Sequence, residues 1–497
     1  MKYCIAYLCL MTLSVFEMKA ELNPKFQIYL CFGQSNMAGD APAEASDMEV
    51  DSRFRTLETS NGTLTRSKGQ WYTATPPIIS QGNYTQVGIA DYFGRTMVQA
   101  LPADYQIGVV NVAVNGADIR AFMSELAETC NPWHTDYFAK YDNDPYKRLV
   151  DMAEIAQQSG VIKGILLHQG EANCGDPEWP NYVKIVYERL LHDLHLNAAE
   201  VPLLVGEVVN ATENGDCAAH NEVIAQVPSV IPTAHVISSA GCPGKLHFTR
   251  DGYRILGKRY ALKMLELLGY QFQVNETDLQ GPVLKAISYT REYGDPNPVF
   301  DYSIESGSIN GTPLLTCDAT ATSPVGTYPI KMSKGSMVED NADFFFGMLT
   351  VTKAPLTITA KSYTRVEGYP NPSFEVTYSG FKNGETEEAL TQKPTVSTTA
   401  TQNSEPGTYD IGVSDTKAQN YTVNHVKGTL TIVEKKLGDV NADTIVDEKD
   451  LRAMINHILG NPQEGIFDEE MANINKDDKV DAADVVALIN LLGTTNE

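Results

Sequence analysis

The stretch Gly33-Gln34-Ser35-Asn36-Met37-Ala38-Gly39 decides both the fold and the chemistry to look for. It directly follows the apolar run 26–32, which predicts a buried strand. A serine just past the carboxyl end of such a strand lies where open α/β sheets bind their ligands. The leading glycine permits a sharp turn, and the amide side chains beside the serine can donate to a developing oxyanion. We therefore interpret Ser35 as a candidate nucleophile rather than as part of a polar turn.

Two further motifs fit the same chemistry. His168-Gln169-Gly170-Glu171 follows the apolar run 162–167, and Lys245-Leu246-His247-Phe248 follows the last predicted strand. A serine hydroxyl becomes a good nucleophile only when a nearby base takes its proton. His247 is the preferred base among the histidines because it lies in a loop at a strand end.

Strand and helix patterns alternate through the first half of the chain. Apolar runs predict strands at 26–32, 107–114, 162–167, 203–209 and 236–239. Helical spacing of apolar residues predicts helices around 88–100, 146–159, 180–195 and 252–268. Such alternation favours a parallel sheet with helices on both faces, and about 250 residues can bury one substantial core.

Together the three motifs resemble the SGNH-hydrolase superfamily, and most closely its carbohydrate esterases, which include acetylxylan esterases and sialate O-acetylesterases. The resemblance covers roughly residues 24–270. It implies a three-layer α/β/α, flavodoxin-like catalytic domain with a five-stranded parallel sheet, which we place at 21–272. It also implies removal of acetyl groups from an acetylated oligo- or polysaccharide, without a cofactor for catalysis.

The resemblance also implies roles for individual residues. Ser35 is the nucleophile and His247 the general base. The oxyanion hole combines the backbone N–H of Ser35, the backbone N–H of Gly116 and the side chain of Gln169. Donors fixed in advance at this point typically supply a large part of the rate enhancement.

The third member of the triad is less clear. Many superfamily members carry an aspartate three residues before the histidine, where this chain has Gly244. We take Glu171 as the candidate acid, and a carboxylate that only ties loops together is the alternative. Asp251 is a weaker candidate because its position is typical of a helix cap. Without a supporting acid, the domain would be a non-catalytic glycan-binding or architectural protein on an esterase fold.

The amino terminus predicts export. Lys2 precedes an apolar stretch at 4–16 that ends near the small residue Ala20, so residues 1–20 have the outline of a signal peptide. The stretch is too short to span a membrane, and no later stretch is apolar enough. The predicted location is secreted, periplasmic or at a bacterial cell surface. Candidate disulfides, which export permits, are Cys130–Cys174 and Cys217–Cys242.

A repeat begins after the esterase-like half. Ser288-Tyr289-Thr290-Arg291, followed by Asp295-Pro296-Asn297-Pro298, recurs as Ser362-Tyr363-Thr364-Arg365, followed by Tyr369-Pro370-Asn371-Pro372. Alternating Thr-rich strands and Pro-Asn-Pro turns predict two small all-β modules, at 283–354 and 355–434. They resemble tandem β modules of bacterial surface and secreted proteins. We interpret them as spacers, with glycan binding as the alternative.

The last segment, 437–497, carries two calcium-loop patterns. Calcium takes six to eight oxygen ligands, and a loop with oxygen-bearing residues at staggered positions can wrap one ion. The candidate ligands of the two loops are Asp439, Asn441, Asp443, Ile445 (carbonyl), Asp447 and Asp450, and Asn473, Asn475, Asp477, Lys479 (carbonyl), Asp481 and Asp484. An apolar-faced helix follows each loop.

This pair of loops and helices resembles a type I dockerin. The resemblance implies two bound Ca²⁺ ions and docking to a cohesin-bearing protein. Asn473 stands where aspartate is usual, which predicts weaker binding at the second loop. The net charge of −25 argues against nucleic acid or an anionic membrane as a partner.

Overall fold

The computed structural model of the protein describes residues 22–61, 65–79, 85–126, 135–462 and 465–494. The predicted signal peptide and Cys130 lie outside these ranges. The chain divides into two compact units. The first comprises residues up to Ser288 with Phe300–Thr316 and Pro329–Gly347, and the second comprises Tyr289–Val299, Cys317–Tyr328 and the chain from Met348. Residues of the predicted first β module therefore fall in both units.

The strands, in chain order, are β1 (Asn23–Gly33), β2 (Ala41–Pro42), β3 (Phe54–Leu57), β4 (Trp71–Thr73), β5 (Gln86–Val87), β6 (Gln106–Ala113), β7 (Gly160–His168), β8 (Leu203–Gly206), β9 (Ala234–Ile237), β10 (Phe272–Gln273), β11 (Val283–Ala286), β12 (Tyr289–Glu292), β13 (Tyr302–Ser306), β14 (Leu314–Cys317), β15 (Gly326–Ser333), β16 (Asp343–Phe345), β17 (Gly347–Thr352), β18 (Ala354–Ala360), β19 (Tyr363–Val366), β20 (Val376–Ser379), β21 (Leu390–Gln392), β22 (Thr395–Thr398), β23 (Gly407–Ser414), β24 (Lys417–Ala418), β25 (Tyr421–Val426) and β26 (Gly428–Val433).

The helices are α1 (Ser35–Ala38), α2 (Ile89–Ala100), α3 (Thr135–Ala139), α4 (Pro145–Gln157), α5 (Trp179–Asp193), α6 (Asn221–Ile224), α7 (Val227–Val230), α8 (Arg250–Leu267), α9 (Glu448–Ile458), α10 (Glu469–Ala472) and α11 (Ala482–Thr494). None of the helices in the described ranges has the length and apolar character that a membrane crossing requires.

The central sheet of the first unit has seven strands in the order β4-β3-β6-β1-β7-β8-β9. Six of them run parallel, and β4 pairs antiparallel with β3. The five predicted strands are all present, but the predicted count of five is wrong. The two missed strands are only four and three residues long, which is too short to show a clear hydrophobic period.

Helices cover both faces of this sheet. Side chains alternate along β1, so Ile28, Leu30 and Phe32 enter one core, whereas Tyr29 and Cys31 enter the other. The first core is completed by helices α4 and α5, and the second by α2 and α8. The result is an α/β/α arrangement, and the four predicted helices agree with the observed ones to within about two residues.

The register of the parallel strands brings the sequence motifs together. At the carboxyl end of β1, Gly33 is the register partner of both Ala113 on β6 and His168 on β7. The residues that follow these three positions therefore share one sheet edge. This edge is where the fold places the serine, Gly116 and the Gln169–Glu171 segment.

The first unit also contains a small sheet, β10-β16-β11-β13, which packs against the esterase-like domain. Lys258 of α8 donates to Asp343 on β16 (Nζ to Oδ2, 2.6 Å), and Lys285 on β11 donates to the carbonyl of Leu101 (3.0 Å). Val283 and Phe345 from these strands join the second core. Part of the predicted first β module is thus packed within the unit that carries the site.

In the second unit, the arginine and the asparagine of the repeated motif bond to each other in both copies. The guanidinium of Arg365, which is 6% exposed, donates to Asn371 Oδ1 (2.8 Å) and to the carbonyls of Val366 and Thr401 (3.0 and 2.6 Å), while Asn371 Nδ2 donates to the Ala400 carbonyl (2.7 Å). Arg291 and Asn297 make the same set of bonds in the first copy, to Glu292, Thr320 and Ala319. We call each pair an Arg–Asn clasp. It joins the strand to the Pro-Asn-Pro turn.

The last segment forms two loop–helix units around a small core. Val440, Met454, Ala472 and Leu488 are fully buried at its centre. Helices α9 and α11 follow the two predicted calcium loops, as the sequence indicated.

Candidate active site

Ser35 is the first residue of the short helix α1, directly after the tight turn that ends β1. The N–H of Gln34 donates to the carbonyl of His168 (3.1 Å), which leaves no room for a side chain at Gly33: a Cβ there would lie 2.0 Å from that carbonyl oxygen. Ser35 opens α1, so its own N–H is one of those that a helix leaves without an internal partner. The predicted nucleophile is therefore held on a constrained turn at the sheet edge.

The hydroxyl of Ser35 meets the imidazole of His247. Ser35 Oγ lies 2.8 Å from His247 Nε2, although 212 residues separate them. His247 precedes α8, which Thr249 caps by accepting from the N–H of Gly252 (3.2 Å). The sequence motifs predicted for nucleophile and base are thus brought into hydrogen-bond contact.

The carboxylate next to His247 belongs to Asp40. Its Oδ2 lies 2.8 Å from Nδ1, on the side of the imidazole opposite Ser35. Gly39, with φ of 93°, turns the chain so that Asp40 returns toward the site. No motif or spacing in the sequence marks Asp40 as the partner of the histidine, although it directly follows the serine motif. Asp251, the weaker candidate for this role, pairs with Arg254 in the first turn of α8 (3.1 Å).

The structure places Glu171 in a different position from the one expected. Its buried carboxylate accepts from the side-chain amide of Asn36 and lies 3.7 Å from His168 Nε2. Burial acts to raise the pKa of Glu171, but His168 and Asn36 favour the charged form, so the pKa is lowered. The residue expected to orient His247 therefore contacts the neighbour of the nucleophile.

Gln169, whose side chain the sequence predicts as an oxyanion donor, lies in a buried hydrogen-bond network. Its side chain is fully buried, and Nε2 lies within hydrogen-bond distance of Asn173 Oδ1 (2.8 Å), the Ala117 carbonyl (3.1 Å) and Gln34 Oε1 (3.2 Å). Trp179 Nε1 donates to its oxygen. The amide thus links the loop after Gly116 to the serine motif, and the neighbouring Gly116 has a left-handed φ of 68°.

One disulfide lies beside the site. Cys174 is bonded to Cys217, and Cys242 is a free, buried thiol. The predicted pairs Cys130–Cys174 and Cys217–Cys242 are therefore wrong. The observed bond joins the segment after Glu171 to the turn that precedes α6, a proximity that spacing along the sequence does not reveal.

In the first predicted calcium loop, two carboxylates accept hydrogen bonds from the backbone of the same loop. Asp450 accepts from the N–H groups of Val440 (2.9 Å), Asn441 (3.2 Å) and Asp447 (2.8 Å), and Asp439 accepts from those of Asp443 and Thr444 (3.2 and 3.0 Å). Burial first, and then neighbouring carboxylates, raise the pKa of Asp439 and of Asp450. A bound cation would offset both effects. In the described part of the chain, however, no three His, Cys, Asp or Glu side chains converge as a ready metal cluster.

The second loop repeats this pattern with one difference. Asp484 accepts from the N–H groups of Asn475 and Asp481 (3.0 Å each), as Asp450 does in the first loop. At the first position, Asn473 donates its amide to the carbonyl of Asp477, and its buried Oδ1 has no hydrogen-bond partner among the described residues. An oxygen donor set with such an unpaired atom fits Ca²⁺.

Three family models match successive parts of the chain. Residues 25–266 match the family model described as carbohydrate esterase, sialic acid-specific acetylesterase. Residues 283–341 and 356–431 match the MBG domain (YGX type), and residues 437–493 match the dockerin type I domain. The family resemblances inferred from the sequence are confirmed.

Solved structures resemble the chain more distantly. A protein from Arabidopsis thaliana is 21% identical, with a TM-score of 0.39 over 49% of this chain and 99% of its own. NanS is 16% identical, with a TM-score of 0.39 over 50% of this chain and 99% of its own. A carbohydrate acetylesterase from Xanthomonas citri is 16% identical, with a TM-score of 0.37 over 65% and 79% of the two chains.

Proposed function

We propose that residues 25–266, which match the carbohydrate esterase family model named above, are a serine esterase that removes O-acetyl groups from a carbohydrate. The observation that carries the proposal is the 2.8 Å contact between Ser35 Oγ and His247 Nε2. A hydroxyl and an imidazole at this distance, at the edge of the sheet, are what acyl transfer requires.

The reaction proceeds by double displacement. Ser35 Oγ attacks the acetyl carbonyl carbon while His247 Nε2 takes the hydroxyl proton. Collapse of the tetrahedral intermediate breaks the bond to the sugar oxygen, which receives that proton from His247. Water, deprotonated by the same imidazole, then attacks the carbonyl carbon of the acetyl-serine. The bond from Oγ to the acetyl group breaks, Oγ receives the proton from His247, and acetate leaves.

Other residues support this cycle. Asp40, at 2.8 Å from Nδ1, fixes the imidazole and stabilises its charged form. The N–H groups of Ser35 and Gly116 are the proposed oxyanion donors. Gln169 supports them by holding the carbonyl of Ala117 (3.1 Å), the residue after Gly116. With Asp40 next to His247, the glycine at position 244 does not deprive the base of a carboxylate, so a non-catalytic role loses its main support.

The proposed substrate is an O-acetylated glycan. The family description names sialic acid, so an O-acetylated sialic acid is the first substrate to test, and acetylated plant polysaccharide is the second. Relative kcat/KM on the two classes decides between them, because it compares transition-state binding.

We further propose that the protein is exported and tethered. The dockerin domain would bind two Ca²⁺ ions through the loops at 439–450 and 473–484 and dock onto a cohesin-bearing protein. The two β modules would act as the spacer between the tether and the esterase domain.

Acetate release by the wild type and by Ser35→Ala tests the proposal. We expect the wild type to hydrolyse 4-nitrophenyl acetate and at least one acetylated glycan, and Ser35→Ala to lose at least about 10⁴-fold in kcat. Retained activity in Ser35→Ala would rule out this nucleophile. A wild type that binds acetylated glycan without releasing acetate would favour the binding-protein alternative.

A further inference from the structure

Asn36, the residue after the candidate nucleophile, makes bonds to both peptide neighbours of His247. Its side chain is fully buried. The amide Nδ2 donates to the carbonyl of Leu246 (3.1 Å), and Oδ1 accepts from the N–H of Phe248 (3.2 Å). One side chain thus holds the backbone on both sides of His247, and we call this pair of bonds the Asn36 clamp.

The remaining bonding capacity of this amide is also used. Oδ1 accepts a second bond from the hydroxyl of Tyr253 (2.7 Å), and Nδ2 donates its second hydrogen to Glu171. A carboxamide offers two hydrogens and two lone-pair directions, so all four are engaged. Rotation of the side chain would break several buried bonds at once, which fixes its orientation.

Glu171 is the charged partner in this set. Its carboxylate is 4% exposed and has one oxygen, Oε2, without a hydrogen-bond partner among the described residues. The bond from Asn36 is therefore charge-assisted, and bonds to a charged group are about twice as strong as neutral ones. Polarisation of the amide also strengthens the bonds that Oδ1 accepts.

We infer that Asn36 is a positioning residue that holds His247 against Ser35, and that Glu171 acts on the reaction through Asn36, because Nδ1 of His247 pairs with Asp40 instead. Since Ser35 and Asn36 are adjacent in the chain, fixing Asn36 to the backbone around His247 fixes the distance between Oγ and Nε2. This inference rests on the proposed esterase function.

Substitutions of Glu171 distinguish a role through Asn36 from a direct role in orienting His247. Glu171→Gln keeps an oxygen that accepts from Asn36, whereas Glu171→Ala removes it. We expect Glu171→Ala to lower kcat about 100-fold with KM changed less than about threefold, and Glu171→Gln to lose less than about tenfold. If Glu171 were the acid that orients the imidazole, Glu171→Gln would instead cost about 10⁴-fold, as a wrong tautomer does.

Surface variants of matched chemistry serve as controls. Glu188→Ala and Asn181→Ala remove a carboxylate and an amide from exposed positions of α5. Among the described residues, each of these side chains bonds only to a residue of the same helix or its cap. We expect kcat of both controls within about twofold of the wild type. Equal losses in Glu171→Gln and Glu171→Ala, or no loss in either, would overturn the inference.

Hydrogen–deuterium exchange tests the clamp without using catalysis. The N–H of Phe248 is bonded to Asn36 Oδ1, so the peptide that contains residues 244–250 should exchange faster in Asn36→Ala and Glu171→Ala than in Glu171→Gln. Should Asn36→Ala fail to fold, Tyr253→Phe, which removes one bond to Oδ1, replaces it. Unchanged exchange in all variants would overturn the inference. If the wild type releases no acetate, the proposed function fails, and this exchange result alone decides whether the clamp exists.

Discussion

Asp40 Oδ2 lies 2.8 Å from His247 Nδ1, while His247 Nε2 lies 2.8 Å from Ser35 Oγ. One short segment, from Gly33 to Asp40, therefore carries the proposed nucleophile, the residue proposed to hold the base and the carboxylate that pairs with His247. The proposed base comes from a distant loop. Such an arrangement makes the geometry depend chiefly on how that loop is anchored.

Asp40→Asn should impair catalysis without removing the nucleophile. An amide at this position favours the wrong imidazole tautomer and cannot stabilise the imidazolium, so we expect kcat to fall by about 10²- to 10⁴-fold. A loss at the lower end of this range is expected if solvent screens the interaction, because the side chain of Asp40 is 40% exposed. Steady-state hydrolysis of 4-nitrophenyl acetate measures the loss.

Asp251→Asn is the matched control for this experiment. Asp251 is 61% exposed and pairs with Arg254 rather than with His247, so we expect activity within about twofold of the wild type. A large loss in Asp251→Asn together with full activity in Asp40→Asn would contradict the assignment of Asp40.

The elements that the sequence predicts well are those with a strong hydrophobic period. Strand β1 and helix α8 have one, whereas β3 and β4 are too short to show it. The roles proposed for Ser35 and His247 follow from residue type and position at strand ends. The parallel order of β1 between β6 and β7 then places their following loops together.

The rest of the site depends on contacts that no spacing encodes. Gly244, in place of the usual aspartate, favours Glu171 or Asp251 as the acid, whereas the turn at Gly39 brings Asp40 from the serine motif to His247. Gln169 is a plausible oxyanion donor by residue type, but its amide is committed to Asn173, Ala117 and Gln34. The predicted disulfide pairs are also wrong because sequence spacing does not reveal that Cys174 and Cys217 are close in space.

Loss of the Cys174–Cys217 disulfide should destabilise the esterase domain. The bond closes a loop with a sequence separation of 43 residues, for which chain entropy predicts about 2–4 kcal/mol of stabilisation. Urea unfolding followed by tryptophan fluorescence measures it, because all three tryptophans lie in this domain. Dithiothreitol should lower the free energy of unfolding of the wild type and leave the Cys174→Ser/Cys217→Ser double variant unaffected. Cys317→Ser is the control, and a reductant effect on the double variant would contradict the prediction.

The buried carboxyl of Asp91 should make the domain less stable as pH rises. Burial raises its pKa to about 7; the N–H of Gly88 and the charge of Arg95 oppose this, and Asp47 adds to it. Between the usual value of 3.8 and about 7 the folded state alone keeps the proton. The free energy of unfolding then falls with rising pH, by about 4 kcal/mol over the whole interval.

Asp91→Asn isolates this effect. In the wild type the N–H of Gly88 donates to Asp91 Oδ2 (2.8 Å). Asparagine can still accept this bond, but it does not titrate. We expect the variant and the wild type to be similar near about pH 4 and the variant to be more stable by a few kcal/mol near about pH 8. Urea unfolding across this range measures the difference, and parallel curves for the two proteins would show that Asp91 does not titrate as stated.

Asn371→Ala should destabilise the second β module. It removes the bond from Arg365 Nε and the bond to the Ala400 carbonyl (2.8 and 2.7 Å), and it leaves part of a buried guanidinium unpaired. Buried groups left without partners cost about 1–3 kcal/mol each, so we expect a loss of about 2–4 kcal/mol. Calorimetric unfolding measures the loss, with the exposed Asn424→Ala as the control. A clasp of this kind predicts a similar loss for Asn297→Ala in the first copy.

Calcium should bind the two dockerin loops with different affinities. Asp439 supplies a carboxylate at the first position of one loop, whereas Asn473 supplies only an amide oxygen at the same position of the other. Ligand charge tunes affinity in such loops, so isothermal titration should resolve a tighter and a weaker site, and Asn473→Asp should tighten the weaker one by about tenfold or more. Asp478→Asn, which changes a charge in the same loop at a residue outside the proposed ligand set, is the control. A single class of sites that Asn473→Asp leaves unchanged would contradict the ligand assignment at position 473.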